Sequence, residues 1–488
     1  MHLSSLDLAI IVGYLFTIIA IGIWCGRSEE NLEDYFLGGR RIGWVAVMLS
    51  IVATEASALT FIGTPAFAYN HNWTYIQLLI GTIIARFIIA GIFIKQFYRY
   101  KVFTVYEYLS KRFGTGSKNW CSIVFLVTRI LASGVRLFGA SIIVSAATGL
   151  SPLNSIIIIA TAAVLYTVIG GIKAVIWTDA CQAIIFLVGG LIALIFIFRD
   201  IPNGWEDVVD ITRRFSKFKL VDFSFNYKVA YTIWAGIIGS TFLTLATHGT
   251  DQDLVQRMLT AKDYNRSKRA LILSGFADIP IVILFLAIGS LLFSYYQAVP
   301  TPGLPDKADD IFPYYIIHNL PRGLIGILIA SVFAAAMSSI DSALNSLSAT
   351  WINDFYRPYI KKNASEQHYL TMAKVFTALF GLFLVFIAFL SKDTQEVLIL
   401  GLKIGTFTYG ALLGVFLLGF LTTRGNDLGN AVSIVVGIIA VLLIELYTEV
   451  AWIWYVMIGT FITFAVGYLF SAEQNKGIEE FRIWELGD

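Results

Sequence analysis

Apolar runs recur along this chain, separated by short polar segments. Thirteen of them read as helices able to cross a hydrocarbon core of about 30 Å. They span 5–25, 44–68, 73–96, 119–148, 152–169, 175–198, 229–247, 269–295, 322–348, 371–391, 396–420, 429–447 and 451–470. The pattern predicts an all-α, polytopic membrane protein. The first run lacks a basic leader and a small-residue cleavage site, so it reads as a spanning helix, not a signal peptide.

Two spans are poorly made helices. The second contains Thr54-Glu55-Ala56-Ser57-Ala58, then Thr60 and Gly63-Thr64-Pro65. The seventh contains Gly236, Gly239-Ser240-Thr241, Thr244 and Thr247-His248-Gly249. They lie five spans apart. Interruptions at matching places in two halves point to inverted five-helix repeats around a midplane binding site. The expected organisation is an extra helix and inner loop (1–43), a first repeat (44–198), an outer loop (199–228), a second repeat (229–421), and two further helices with a short tail (422–488). An interrupted helix frees backbone carbonyls that must find partners in hydrocarbon.

Composition agrees with a membrane setting and narrows the chemistry. Of 488 residues, 57% are hydrophobic and 14% charged; the mean hydropathy is +0.75. No soluble domain has this profile. Three cysteines beside apolar runs argue against a disulfide framework or a cysteine metal site. There is no phosphate-cradling glycine loop, nucleophile elbow or histidine zinc motif, so neither an enzyme nor an ATP-driven pump is expected, and nucleic acid is not an expected partner. Basic residues set the orientation. Arg99, Lys101, Lys111, Arg112 and Lys118 form one cluster, and Arg257, Lys262, Arg266, Lys268 and Arg269 another. Both fall inside if the N-terminus is outside and the C-terminus cytoplasmic, in a plasma (inner) membrane. The outer loop with Arg213, Arg214, Lys217 and Lys219 is the exception.

Seven ionisable residues fall well inside the spans: Glu55, Arg86, Arg129, Arg136, Asp179, Asp341 and Lys403. Such residues face a cavity or one another. Asp341 stands out, because Ser338, Ser339 and Ser342 flank it on one helix. Hydroxyls, a carboxylate and carbonyls freed at a helix break are hard oxygen ligands suited to a small hard cation. Glu55 can assist that cation, pair with Arg136, or face a cationic group on a solute.

These residues also carry a resemblance. Asp34-Tyr35-Phe36-Leu37-Gly38-Gly39-Arg40, the run from Ala53 to Pro65, Tyr106-Glu107-Tyr108-Leu109, and Gly170-Gly171-Ile172-Lys173-Ala174-Val175-Ile176-Trp177-Thr178-Asp179 occur in order. Thr250-Asp251-Gln252-Asp253-Leu254-Val255-Gln256-Arg257 and the run from Ala334 to Asn345 follow. Together they resemble the sodium:solute symporter family over nearly the whole length. The resemblance implies an amino-acid-transporter-like fold with two inverted five-helix repeats. It implies a first Na+ site at the carbonyls of Ala53, Ala56 and Ala335 and the hydroxyls of Ser338 and Ser339. It implies a second Na+ site at Asp179, Ser338, Asp341 and Ser342. Asp341 is a departure, standing where sialic-acid and glucose members have a small neutral residue.

The solute site implied by the resemblance lies outward of the first sodium. Its candidates are Glu55, Ser57, Thr60, Gln77, Thr244 and Thr247, with Arg136 and Lys403 favouring an anionic solute. The carboxylate-binding arginine of sialic-acid members falls on Ala132, one helical turn before Arg136. The reading is a Na+-coupled symporter of a small polar organic solute, acting as a monomer in the bilayer by alternating access. An acidic sugar, a monocarboxylate or an amino acid is favoured over a neutral sugar. The alternatives are a solute sensor working through a separate partner and a passive channel.

Overall fold

A computed structural model describes residues 3–26, 29–391 and 395–471. Among them no β-strand forms; Ile42 and Ala261 make one isolated bridge. The tail beyond residue 471, expected inside, lies outside the described residues.

The first helix, α1 (Ser5–Cys25), is capped by Ser4, and Asp7 returns the bond in a capping box. The Asp7 carboxylate also accepts the backbone N–H groups of Gly323 (2.7 Å) and Gly326 (2.9 Å), tying α1 to the start of the ninth span. A short α2 (Leu32–Leu37) leads to the second span. That span is two helices, α3 (Trp44–Glu55) and α4 (Ala58–Asn70), bent by 56° at the expected break. The third span holds α5 (Leu78–Ile89) and a π-helical turn, Ala90–Ile94. A short helix α6 (Val105–Arg112) precedes α7 (Thr115–Thr148).

The fifth and sixth expected spans form one 49-residue element, α8 (Pro152–Asp200), which turns at Gly171. Gly171 has φ +49°, and a Cβ there would lie 2.4 Å from the Tyr35 carbonyl oxygen. Only glycine accepts that backbone and that approach. The seventh span is short: a five-residue π-helical turn, Ala235–Gly239, and the ten-residue α10 (Ser240–Gly249), preceded in the chain by the loop helix α9 (Trp205–Arg214). The chain turns again at Thr250–Asp251 into α11 (Gln252–Leu259). Ten helices among the described residues are long and apolar enough to cross a membrane, or eleven with the bent pair as one. The distance from thirteen lies in α8, where two spans share one element, and in the shortness of α10.

The second half continues with α12 (Tyr264–Ala298), α13 (Ala308–Asn319) and α14 (Leu324–Thr350). It ends with α15 (Glu366–Leu390), α16 (Gln395–Leu421), α17 (Asp427–Tyr447) and α18 (Tyr455–Leu469). Helix α14 is the axis of the bundle. Every residue from Leu328 to Thr350 is buried, and it packs chiefly on α8. Its alanines and serines allow that close approach. Large apolar side chains such as Phe16, Leu382 and Leu469 are exposed around the outside, as a lipid-facing surface requires.

Both ends of the bundle are covered. At one end, Gln77 donates to the Tyr231 carbonyl (3.1 Å) and accepts from the Asp222 N–H (3.0 Å). The Tyr231 ring lies 4.5 Å from Phe67, and Phe312 of α13 stacks 5.2 Å from Phe61. The sequence reading did not anticipate α13. At the other end four of the motifs meet. Tyr106 donates to the Thr250 carbonyl (3.1 Å), and Gln252 accepts from the Val105 N–H (2.8 Å). Gln256 donates to the Phe36 carbonyl and to Asn345, both at 2.7 Å.

Candidate cation and solute site

The break between α3 and α4 is written in its hydrogen bonds. Ala56 leaves the helix with φ −75° and ψ 77°. The Ser57 N–H therefore reaches the Glu55 carbonyl (2.9 Å) and not that of Ala53. The Thr60 N–H reaches the Ser57 carbonyl (2.9 Å) and not that of Ala56. Two carbonyls are released from the helical ladder at mid-bundle. Ser338 donates its hydroxyl to the freed Ala53 carbonyl (3.0 Å). The hydroxyls of Ser338 and Ser339 also face the Ala335 carbonyl at 3.3 and 3.4 Å. The first cation set is thus gathered from α3 and α14. It offers only neutral oxygens, a donor set that suits a singly charged hard cation.

The second set lies one turn further along α14, and Ser338 belongs to both. The Asp179 carboxylate accepts from Ser50 (2.5 Å) and Arg257 (3.2 Å), while its other oxygen is buried with no hydrogen-bond partner. Asp341 accepts from Tyr166 (2.5 Å) and from Ser342 (3.0 Å). Among the described residues Asp341 enters no ion pair, although it is fully buried. A buried charge left in that state costs several kcal/mol, so Asp341 and the orphaned oxygen of Asp179 fit a cation. Arg257 was counted in the sequence as part of an inner basic cluster. It is instead buried against Asp179, Ser342, Ser50 and Asp253. Arg129 continues the network to Asp251 and Asp253.

The solute candidates divide. Ser57 caps α4, its hydroxyl 3.3 Å from the Thr60 N–H and 3.3 Å from the Thr60 hydroxyl. Thr244 faces Thr82 (3.4 Å), and Thr247 meets His248 (2.9 Å). Gln77 is engaged by the outer loop, as above. Lys403 stands apart, paired with Glu445 of α17 at 2.5 Å. Glu55 does not pair with Arg136. It pairs with Arg86 of α5 (2.5 Å), which also holds Asp278 of α12 (2.7 Å), and His248 of α10 approaches Glu55 at 2.5 Å. Asp278 and His248 were missed in the sequence. Asp278 sits in Ala277-Asp278-Ile279-Pro280 inside the eighth span, and its position in an apolar run was the available signal.

Arg136 has a different surrounding. It lines a small cavity with room for about one water molecule, together with Ser57, Ser133, Ala335 and Ser339. Two of those residues belong to the first cation set.

A bundle with a broken helix at its centre, freed carbonyls and hydroxyls suited to a cation where the break meets α14, and covers at both ends fits a class: an ion-coupled secondary transporter of the membrane. The comparisons with known proteins name the family. The sodium:solute symporter family matches residues 35–437, and the chain belongs to it. The chain is 31% identical over 497 residues to the sodium/sialic acid symporter NanT of Aliivibrio fischeri, covering 99% of this chain and 96% of NanT. It is 32% identical over 464 residues to the sodium/sialic acid symporter SiaT of Proteus mirabilis, covering 93% and 92%. The fold is shared with a Na+-coupled sialic acid symporter in a substrate-bound, outward-open state. That match has a TM-score of 0.89 at 29% identity and covers 96% of this chain and all of the other. The chain is therefore a multi-pass, sodium-coupled membrane transporter.

Proposed function

We propose that this chain imports a small polar organic solute together with Na+, through the cleft between the broken second span and α14. An acidic sugar, a monocarboxylate or an amino acid is favoured over a neutral sugar. The single observation that carries this reading is the pair of carbonyls freed at Ala53 and Ala56, opposite the hydroxyls of Ser338 and Ser339. Sodium in that cleft holds α3 against α14 and completes the wall of the cavity that Ser57 and Arg136 share. Coupling needs no chemistry. The ion binds one arrangement of the helices better than the other, and solute and ion raise each other's affinity reciprocally.

The covers at the two ends supply the alternation. Outward opening requires release of the contacts from Gln77, Tyr231 and α13. Inward opening requires release of Tyr106 from Thr250 and of Gln252 from Val105. The repeats 44–198 and 229–421 are the bodies that move. The N-terminus is outside, the C-terminus cytoplasmic, the working unit a monomer, and the protein has no catalytic role and no nucleic-acid partner. The substrate set comprises Glu55, Ser57, Thr60, Arg136, Thr244 and Thr247.

The test is a thermal-shift series on purified protein, comparing candidate solutes in NaCl and in choline chloride. A ligand that binds only the native state raises its apparent stability by mass action. The expected result is a shift from sodium alone and a larger one from sodium with solute. Equal shifts in both salts, or uptake into vesicles without an ion gradient, would leave a sensor or a channel instead. Asp341 provides a sharper version. Asp341→Ser removes the charge of the second set and keeps a hydroxyl, and the expected outcome is a several-fold lower apparent sodium affinity or one fewer coupled ion, read from the reversal potential of uptake. Wild-type affinity and stoichiometry would make Asp341 a packing residue.

A further inference from the structure

An open groove of about 670 Å³ lies where the first turn of α3 meets the first turns of α12. Trp44 forms one wall, and Asn265, Lys268, Arg269, Ile272 and Leu273 form the other. The α12 residues recur at three and four, so they share one helix face. That face changes character along its length. Lys268 and Arg269 are exposed near the helix start, and the apolar Leu273 and Phe276 are exposed one and two turns further on. The apolar run of this span begins at 269, so the cations stand at the membrane edge and the apolar residues inside it. Trp44 is the first residue of α3, and tryptophan at the end of a span belongs to the headgroup layer. Backbone ties the two helix starts together: the Ile42 N–H donates to the Thr260 carbonyl (3.2 Å), and Ile42 bridges to Ala261.

The cations of the groove have no acid to answer them. Arg266 is paired with Asp263 at 3.5 Å, whereas Lys268 and Arg269 enter no ion pair among the described residues. The exposed Arg41 and Lys262, next to the bridged pair, enter none either. A basic face that served only to meet water would not continue into an apolar groove walled by tryptophan. We propose that this groove binds an anionic phospholipid, with its phosphate between Lys268, Arg269 and Asn265 and an acyl chain along Ile272, Leu273 and Phe276. Lysine and arginine suit this place because their stems pack on apolar surface while their heads reach the headgroups. With the N-terminus outside, this end meets the cytoplasmic leaflet, whose surface is negative. The lipid joins α3, which carries the freed Ala53 carbonyl, to α12, which carries Asp278. One helix belongs to each of the two repeats proposed to move, so a bound lipid steadies the arrangement in which their starts meet. The proposal goes beyond the transport reading and does not depend on it.

The experiment measures melting of the full chain in neutral detergent micelles doped with lipid. The probes are dioleoylphosphatidylglycerol, dioleoylphosphatidylcholine and, as soluble counterparts of the headgroup, glycerol 3-phosphate and inorganic phosphate. The expected result is a saturable rise in melting temperature with phosphatidylglycerol and none with the other three. Lys268→Gln combined with Arg269→Gln should melt like the wild type in phosphatidylcholine and bind phosphatidylglycerol about tenfold or more weakly, since each basic residue beside a headgroup adds to the attraction. Each single substitution should lose part of the effect, which keeps the test open if the double variant folds poorly. Lys361→Gln combined with Lys362→Gln, exposed lysines before α15, should keep the effect in full. Phosphatidylcholine as effective as phosphatidylglycerol, or a soluble phosphate as effective as either, overturns the lipid site. So do groove variants that bind phosphatidylglycerol as the wild type does, and a Lys361 and Lys362 pair that weakens binding as much as the groove pair.

Discussion

Replacing Ser338 and Ser339 together by alanine abolishes sodium-dependent uptake while leaving the protein folded. The two hydroxyls are two of the five oxygens in the first cation set, and they lie on a helix where alanine is a better helix former than serine. The substitution is small, and Ala334, Ala335, Ala336 and Ala343 already stand beside the two positions on α14. It also loses the Ser338 hydroxyl that donates to the Ala53 carbonyl. Each lost ligand is worth about 1–3 kcal/mol in a dry site, so the pair should weaken sodium binding by about 100-fold or more. Binding of radioactive sodium to purified protein gives the affinity, and uptake into proteoliposomes gives the consequence. Sodium dependence unchanged from wild type would remove the cleft as the ion site.

Arg86→Met has the largest expected effect on stability. The guanidinium is 1% exposed and bonds Glu55 at the helix break and Asp278 of α12. Methionine preserves most of the volume and removes the charge. Two carboxylates are then left facing each other in the bundle, at a cost of about 3–5 kcal/mol. The expected outcome is a large drop in melting temperature and poor recovery of monodisperse protein. The triple variant that adds Glu55→Gln and Asp278→Asn should recover most of the loss, because the charges that needed the arginine are gone. A single variant as stable as wild type, or a triple variant no better than the single, would show that Arg86 does not neutralise this pair. The same contact holds Glu55 beside the freed carbonyls, so in any folded fraction sodium affinity should fall as well.

How far the site could be read from the chain depends on the range of the signal. The break in the second span is local. Glu55-Ala56-Ser57 and the glycine and proline that follow weaken a helix wherever they occur, and the two helices separate there. The hydroxyl stripe of α14 is local too, because residues three and four apart share a helix face. The ion pairs are not local. Arg86 and Asp278 are separated by 192 residues, His248 and Glu55 by 193, and Arg257 and Asp179 by 78. Each partner alone reads as an isolated charge, so the sequence does not distinguish Arg86 from Arg136 as the partner of Glu55. Lys403 shows the same limit. An intramembrane lysine reads as a solute ligand, and its ion pair with Glu445 across α16 and α17 is visible only in the packed bundle.

Two patterns were therefore settled by the chain itself. Apolar segments of membrane length must become helices, since hydrocarbon offers no other partner for the backbone. Small and hydroxylated residues at helical spacing must form a stripe that attracts both a neighbouring helix and a cation. Only the packed bundle decided which charges meet, which remain unmatched, and which face a cavity. Those outcomes turn on distances of a few ångströms between helices far apart in the chain, and at low dielectric such distances determine whether a buried charge is compensated or exposed to a ligand. Arg136 lies on the same face of α7 as Arg129, seven residues on, yet one is bound to two aspartates and the other lines a small cavity beside Ala335 and Ser339.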